Sequence, residues 1–130
     1  MKKFLTAMLL FITLVVVTDT AFAANWVKVY SANVVDYYVD KSSIKRGIKS
    51  RPDAFTAVVR WHYKDGSGQI ELLAFINDKG TKKFAYLKSL AVYDRKGNMQ
   101  RVPPSVNLCG WMTIKGEFEA IYNYVKRNLP

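Results

Sequence analysis

Residues 82–99, KKFAYLKSLAVYDRKGNM, decide the fold. Aromatic and aliphatic side chains fill residues 84–93, and residues 94–98 supply a tight turn, so the stretch predicts a strand and the start of a hairpin. Strict alternation gives the strand two apolar faces, one with Phe84, Tyr86, Leu90 and Val92, the other with Ala85, Leu87, Ala91 and Tyr93. A strand that can be covered on both faces is typical of the centre of a sheet.

Runs of period-two alternation elsewhere in the chain predict further antiparallel strands. With the central strand they make six, at residues 26–31, 34–40, 54–64, 70–77, 84–93 and 99–102. Residues 40–44 predict a turn or a single helical turn with Ile44 pointing inward. Residues 48–53 contain Pro52, which cannot donate to a ladder, so they are predicted to be a loop or an irregular edge.

Residues 117–127 predict the one helix. Phe118, Ile121, Tyr122 and Val125 recur at helical spacing and form one apolar stripe. Acidic residues near the start and basic residues near the end match the helix dipole, and Gly116 is the predicted N-cap. The predicted fold class is therefore α+β, an antiparallel sheet of about six strands with a C-terminal helix packed on one face.

The chain begins with a pattern typical of a secretory signal peptide. Lys2 and Lys3 precede an apolar run at residues 4–17, and small residues surround Phe22 at the predicted cleavage site. The alternative, a transmembrane anchor, needs about 20 apolar residues, and this run is shorter. We expect residues 1–23 to be removed, leaving one domain at residues 24–130 without a transmembrane segment. Its expected location is the periplasm, the cell surface or the medium.

The composition is strongly basic, with a formal net charge of +10 at pH 7. Such a charge attracts polyanions, and an exported protein meets anionic glycans and envelope components rather than nucleic acid. Eight basic residues form the candidate anionic-ligand surface: Lys45, Arg46, Lys49, Arg51, Lys82, Lys83, Arg95 and Lys96. The alternative is that these clusters are ordinary solvated surface.

The sequence predicts no catalytic, cofactor or metal site. Its single cysteine, Cys109, would need a base to act as a nucleophile, and the only histidine, His62, lies between two cationic residues. One His and one Cys do not complete a metal site either. Cys109 therefore bridges two copies, reacts, or is buried as a small apolar residue. The expected protein is non-enzymatic.

The tyrosines are dense for a chain of this size. Seven of the eight are Tyr37, Tyr38, Tyr63, Tyr86, Tyr93, Tyr122 and Tyr124, all in predicted strands or in the predicted helix. Packing in the core and at sheet edges is one explanation. The other is binding, because aromatic rings that alternate with basic residues can stack on sugars or bases.

Several short motifs follow each other in a recognisable order. These are the Trp26-Val27 strand, YVDKSSIKR at residues 38–46, LAVYDRKG at residues 90–97 and the segment 111–114 that leads into the helix. In this order the chain resembles the bacterial surface-adhesin protein E family. The resemblance implies six antiparallel strands with a C-terminal helix on one face. It also implies a surface protein that binds host matrix and serum proteins such as laminin and vitronectin.

The chain departs from that family in two respects. Members often have cysteines that tie the helix to the sheet, but residues 85–86 and Val125 here offer none, so packing alone must hold the helix. The signal peptide also ends without a lipid-accepting cysteine. We expect an exported binding domain, a monomer or weak homodimer, whose partner is a host extracellular-matrix protein, an anionic glycan or an envelope component. The alternative is a periplasmic envelope-accessory protein with a protein partner and no adhesin role.

Overall fold

The computed structural model describes residues 25–101 and 110–130, and it has the predicted α+β class. Its strands are β1 (Trp26–Ser31), β2 (Val35–Asp40), β3 (Lys45–Ile48), β4 (Arg51–Tyr63), β5 (Gly68–Asp78), β6 (Thr81–Tyr93), β7 (Met99–Arg101) and β8 (Met112–Thr113), followed by helix α1 (Glu117–Arg127). The predicted signal peptide and Cys109 lie outside the described residues. Within the described residues, no helix is long and apolar enough to cross a membrane.

All strand pairs of the sheet are antiparallel, in the order β1-β2-β4-β5-β6-β7. Two short strands lie off this path, β3 against β4 and β8 against β6. The described sheet therefore has eight strands, and the predicted number of six is wrong. The six predicted strands all exist, and the two additional ones each pair with one part of a longer strand.

Because Pro52 was interpreted as a breaker, residues 48–53 were predicted to be irregular, and the beginning of β4 and its pairing with β3 were missed. In the structure Pro52 belongs to β4, at a place where the β3 ladder is interrupted by a register shift between Arg46 and Ile48. Gly47 allows this interruption, since its backbone has a φ of 79°, which favours glycine. The missing N–H of Pro52 therefore costs no regular ladder bond. The strand β8 has only two residues, too few for any periodicity.

The long strand β6 contains two bulges that strict alternation did not predict. Against β5, Glu71 pairs with Ser89 and Leu73 with Tyr86, which leaves Leu90 and Leu87 as extra residues. Leu90 consequently packs against the cluster of Ile70 and Ala91, away from the face predicted for it. Because the two bulges cancel, the predicted alternation holds again from Ala91 onward.

The structure confirms the predicted bounds of helix α1 and its predicted apolar stripe. It begins after Gly116 and ends at Arg127, and Ile121, Tyr122 and Val125 are fully buried against the sheet. Phe118 stacks on Phe84 of β6 with ring centroids 4.3 Å apart. Burial of each such side chain stabilises the fold by roughly 1.5–3 kcal/mol, and within the described residues these contacts attach the helix.

The helix covers one face of the sheet, called here the closed face. Its buried apolar residues come from four neighbouring strands and include Tyr37, Val39, Ala57, Val59, Trp61, Leu73, Phe75 and Phe84. On the opposite face, the open face, Ile70 and Ala91 form a small buried cluster with strand side chains, and Ala74, Ile76 and Ala85 are buried there as well. Helix α1 thus covers one face of the sheet, and the other face also has buried apolar residues, in agreement with the two apolar faces of β6.

The predicted turn after β2 is also confirmed. Residues 41–43 form a single 3-10 turn, and Asp40 caps it by accepting hydrogen bonds from the backbone N–H and hydroxyl of Ser42. Ile44 follows and is buried in the main core, as expected. The turn brings the chain from β2 to β3 along the same side of β4.

Two buried tyrosines of the closed face differ in their hydroxyl groups. The Tyr37 hydroxyl donates a hydrogen bond to Glu117 at the start of α1, whereas the buried Tyr122 hydroxyl has no partner among the described residues. We predict that Tyr122→Phe raises the free energy of unfolding by about 1 kcal/mol, because it removes an unsatisfied polar group. The matched control Tyr37→Phe should lower it by about 1 kcal/mol. Urea unfolding tests this, and equal losses in both variants would contradict it.

The closed face also buries a carboxyl group, that of Glu71, which lies opposite Val59. Only the Ser89 hydroxyl is found to donate a hydrogen bond to it, at 2.6 Å. Burial raises the pKa of Glu71 above its usual value of 4.5, and the hydrogen bond only partly opposes this. The folded protein therefore holds this proton at a pH where the unfolded chain has lost it.

We predict that Glu71 makes stability fall as pH rises from 4.5 through the raised pKa, because the folded state binds more protons there. Glu71→Gln should remove this decline in urea unfolding measured across the pH range. Asp36→Asn provides a control of opposite sign, since hydrogen bonds from Ser31 and Lys64 lower the pKa of Asp36. Its stabilisation is present above 3.8 and is lost on acidification. An unchanged pH profile in Glu71→Gln would disprove the prediction.

Candidate ligand-binding site on the open face

Arg60 lies at the centre of the open face. The pairing registers align it in one row across five strands, with Lys28, Tyr38, Arg60, Ile70 and Ala91 side by side from β1 to β6. Residues directly opposite on neighbouring strands have side chains in contact range. The surroundings of Arg60 are therefore set by four other strands.

Two aromatic rings hold the guanidinium of Arg60. Its central carbon lies 4.7 Å from the ring centroid of Tyr38 and 5.1 Å from that of Trp26. A cation at this distance from a ring gains about 0.5–2 kcal/mol, more where water is excluded. Trp26 reaches Arg60 from β1, so the contact crosses β2. The two rings restrict where the guanidinium can lie.

Arg60 has no acidic partner in the part of the chain that the structure describes. No salt bridge or hydrogen bond of its side chain is found there, and its Nε is buried without a partner. Buried donors are nearly always satisfied in native proteins, so this Nε is an exception. The side chain as a whole is only half-buried, so part of it reaches the surface.

A second row of the open face supplies an imidazole and a phenol beside Arg60. Here Asp36, His62, Gly68 and Tyr93 align across four strands. The Tyr93 hydroxyl lies 2.8 Å from Nδ1 of His62 and 3.3 Å from the backbone oxygen of Trp61. The Tyr93 and His62 rings stack with centroids 5.9 Å apart. Burial raises the pKa of Tyr93, although the charge of Arg60 opposes this.

Gly68 makes this contact possible, because it lies between His62 and Tyr93 and has no side chain. A Cβ at Gly68 would come within 2.3 Å of the Tyr93 hydroxyl and 2.2 Å of the Trp61 backbone oxygen. The absence of a side chain lets Tyr93 cross β5 and reach the imidazole. The glycine is thus required by a close approach of neighbouring atoms.

The acidic residues of β2 on this face are engaged elsewhere. Asp36 accepts hydrogen bonds from Ser31 and Lys64, with Lys28 3.8 Å away, and these contacts lower the pKa of Asp36. Asp40 accepts from Ser42 in the cap of the 3-10 turn. The positive charge of Arg60 is therefore available to a group from outside the described chain.

The eight predicted anion-binding residues do not form one patch. Arg46, Phe55, Phe75 and Phe84 share a row at one end of the sheet, and Lys45, Lys49, Arg51, Lys82 and Lys83 lie near this row. Arg95 and Lys96 follow Tyr93 at the other end of β6. Tyr93 comes nine positions after Phe84 along β6, a distance of roughly 30 Å.

Several of these eight cations are also paired. Arg51 binds Asp53 at 2.8 Å, Lys83 binds Asp78 at 3.2 Å, and Lys82 lies 3.6 Å from Glu119 of α1. Arg46 donates to the backbone oxygen of Pro130. Contacts within the protein thus engage several of the basic residues that the sequence predicted for a ligand.

An open depression of about 470 Å³ lies at the end of the sheet near the turn between β4 and β5. Val34, Tyr63, Lys64, Asp65 and Ser67 line it. Its acidic group is occupied, because Asp65 accepts hydrogen bonds from the backbone and hydroxyl of Ser67. The depression therefore offers a ligand fewer free polar groups than the Arg60 cluster does. That name denotes Arg60 with Trp26, Tyr38, His62 and Tyr93.

The sequence did not predict Arg60, Trp26 or His62 as site residues. Alternation did place Arg60 and His62 on the face away from the core, as the structure shows, and the dense set of tyrosines included Tyr38 and Tyr93. Together these two signals could have indicated the cluster. Neither signal gives the register of the strands, and it is the register that brings Trp26 and Tyr93 to β4 from its two sides.

The groups assembled here can bind a ligand through charge, stacking and hydrogen bonds. In the described stretches no three His, Cys, Asp or Glu side chains are arranged to hold a metal ion. Comparisons with protein-family models, with curated proteins and with solved structures each give no match. The resemblance to surface-adhesin protein E therefore stays an expectation, supported by the motifs quoted for it.

We predict that Gly68→Ala lowers the free energy of unfolding by about 1–3 kcal/mol, because the new methyl group displaces Tyr93 and the neighbouring backbone. Gly110→Ala is the matched control, since a Cβ there meets no atom within 4 Å and its backbone does not require glycine. Urea unfolding of both variants measures the difference. If the two substitutions cost the same, the close approach at Gly68 is not a constraint.

Proposed function

We propose that this protein is an exported, non-enzymatic binding domain that recognises an anionic glycan on its open face. One observation carries the proposal: the Arg60 guanidinium lies 4.7 Å and 5.1 Å from the centroids of two aromatic rings and has no acidic partner among the described residues. A positioned guanidinium whose N–H groups have no partner is suited to bind an anionic group. The adjacent His62 and Tyr93 add polar groups at the same surface.

The charge of the whole chain supports an anionic partner. Its formal net charge of +10 creates a field that attracts polyanions and speeds their association. The clusters outside the open face would then act at longer range, while Arg60 would make the specific contact. The signal-peptide pattern of residues 1–23 supports export to a place where such glycans occur.

A glycan fits the open face better than a protein partner does. Protein interfaces centre on exposed aromatic or aliphatic anchors. The strongly exposed large apolar residues of the described chain are Tyr30, Val34, Val92, Met99 and Met112, and none belongs to the Arg60 cluster. The aromatic rings of the cluster are half-buried and are occupied by Arg60. A host matrix protein or an envelope protein would lack an anchor there.

The location of the protein separates an adhesin from an envelope-accessory role. An adhesin must reach the cell surface, whereas an accessory protein that binds an envelope glycan can stay in the periplasm. Fractionation of cells that produce the full chain, with detection of the protein in each fraction, tests both the export and the location. Retention in the cytoplasm would contradict the export on which the proposal depends.

We predict that Arg60→Gln weakens binding to immobilised anionic glycans by about tenfold or more, since it removes the unpaired charge from the site. Arg127→Gln, which removes the same charge from an exposed position of α1, is the matched control and should change the affinity little. Binding is measured by biolayer interferometry at low salt and at about 0.15 M salt, where distant charges are screened. If both variants lose the same affinity, the loss comes from the lower net charge and not from a site at Arg60.

A further inference from the structure

His62 lies next to Arg60 on the open face of β4. The two residues are two positions apart in the strand, so their side chains share a face and their Cα atoms are about 7 Å apart. They also share a neighbour, since the ring centroid of Tyr38 lies 4.7 Å from the central carbon of the Arg60 guanidinium and 6.4 Å from the ring centroid of His62. A charge on His62 therefore acts on the same anion that Arg60 would bind.

The Tyr93 hydroxyl allows the imidazole of His62 to be neutral or charged without loss of a hydrogen bond. It lies 2.8 Å from Nδ1 of His62 and 3.3 Å from the backbone oxygen of Trp61. When the imidazole is neutral with its proton on Nε2, the hydroxyl donates to Nδ1. When the imidazole is protonated, Nδ1 donates to the hydroxyl oxygen, and the hydroxyl donates to the Trp61 oxygen instead. Protonation of His62 thus requires no rearrangement of the strands.

No carboxylate forms a hydrogen bond or salt bridge with His62 in the part of the chain that the structure describes. Asp36 lies opposite it on β2 but is engaged by Lys64, and Asp65 accepts hydrogen bonds within its own turn. The imidazole is half-buried, so it can exchange protons with water. A positive charge on it is therefore available to an external anion. The other charged or titratable groups around it are Lys28, Tyr38, Arg60, Tyr93 and Arg95.

Histidine is the side chain whose charge ordinarily changes between about pH 5 and pH 8, and His62 is the only histidine of the chain. We infer that His62 is a second cation of the anion site at Arg60, present only when it is protonated, so that the open face binds its anion more tightly as the pH falls. This inference rests on the proposed function and adds the regulation of its site. Because a bound anion in turn favours the imidazolium, proton and anion must each raise the affinity for the other by the same factor.

An NMR titration of the full chain measures the proton side of this coupling and needs no variant. The single histidine makes the imidazole signals unambiguous. Heparin is the probe, because its sulfate groups keep their charge over this pH range. With heparin bound, the midpoint of the imidazole titration should rise by about 0.5–1 pH unit, the equivalent of an about three- to tenfold coupling between charges about 7 Å apart. An unchanged midpoint in the presence of bound heparin would overturn the inference.

Isothermal titration calorimetry with heparin measures the affinity side. The wild-type protein should bind about three- to tenfold more tightly at about pH 5.5 than at about pH 8. His62→Gln should abolish this gain. Glu71→Gln is the matched control and should keep it, since it removes a carboxyl group whose pKa burial raises on the closed face. Tyr93→Phe removes the acceptor of the Nδ1 proton and should move the gain to lower pH.

The outcomes separate the inference from the proposed function. Heparin binding that depends on Arg60 but is equal at both pH values would overturn the inference and leave the proposed function standing. A gain at low pH that persists in His62→Gln would have the same meaning, because another group would then be responsible. Failure of heparin to bind at either pH would contradict the proposed function, and the inference with it.

Discussion

The contact between the apolar stripe of α1 and the closed face is the constraint on which the structure depends. One helix can cover only one face of a sheet, and on the other face the strands cover Ile70 and Ala91 with their own side chains. They do so with large side chains that lie across neighbouring strands, Trp26 over β2 and Tyr93 over β5. Trp26 reaches Arg60 in this way, and Tyr93 can cross β5 only because Gly68 has no side chain. The packing of these side chains thus also assembles the candidate site.

The sequence predicted those parts of the fold that depend on local periodicity. The helix at residues 117–127 and its four inward residues follow from a 3.6-residue repeat, and the longer strands follow from alternation. The bulges of β6 could not be predicted, because Leu87 and Leu90 look like ordinary strand residues and their displacement is set by pairing with β5. Pro52 was misleading for a related reason, since the cost of a proline depends on where the partner strand interrupts its ladder.

The site was less predictable than the fold, because the sequence shows which residues are charged but not which of them form ion pairs. The adjacent basic residues of the sequence looked like the best anion site, but Arg51 binds Asp53 and Lys83 binds Asp78. Arg60 looked ordinary by comparison, an isolated cation between apolar residues of an alternating strand. Its lack of an acidic partner depends on which residues of β2 and β5 lie beside it, and that is a property of register. Asp36, the nearest candidate on β2, is already engaged by Ser31 and Lys64.

Protection of the sheet does not by itself explain an arginine at the centre of the open face. The aliphatic stem of an arginine can cover apolar neighbours such as Ile70. A leucine would cover them too, without leaving a buried Nε that lacks a partner. The contacts with Tyr38 and Trp26 recover part of the cost of burying the charge, but these rings do not satisfy the buried Nε–H. The buried Nε is closed to an external group, but an acceptor can bond the terminal N–H groups of the half-buried side chain, and this is the contact that the proposed function requires.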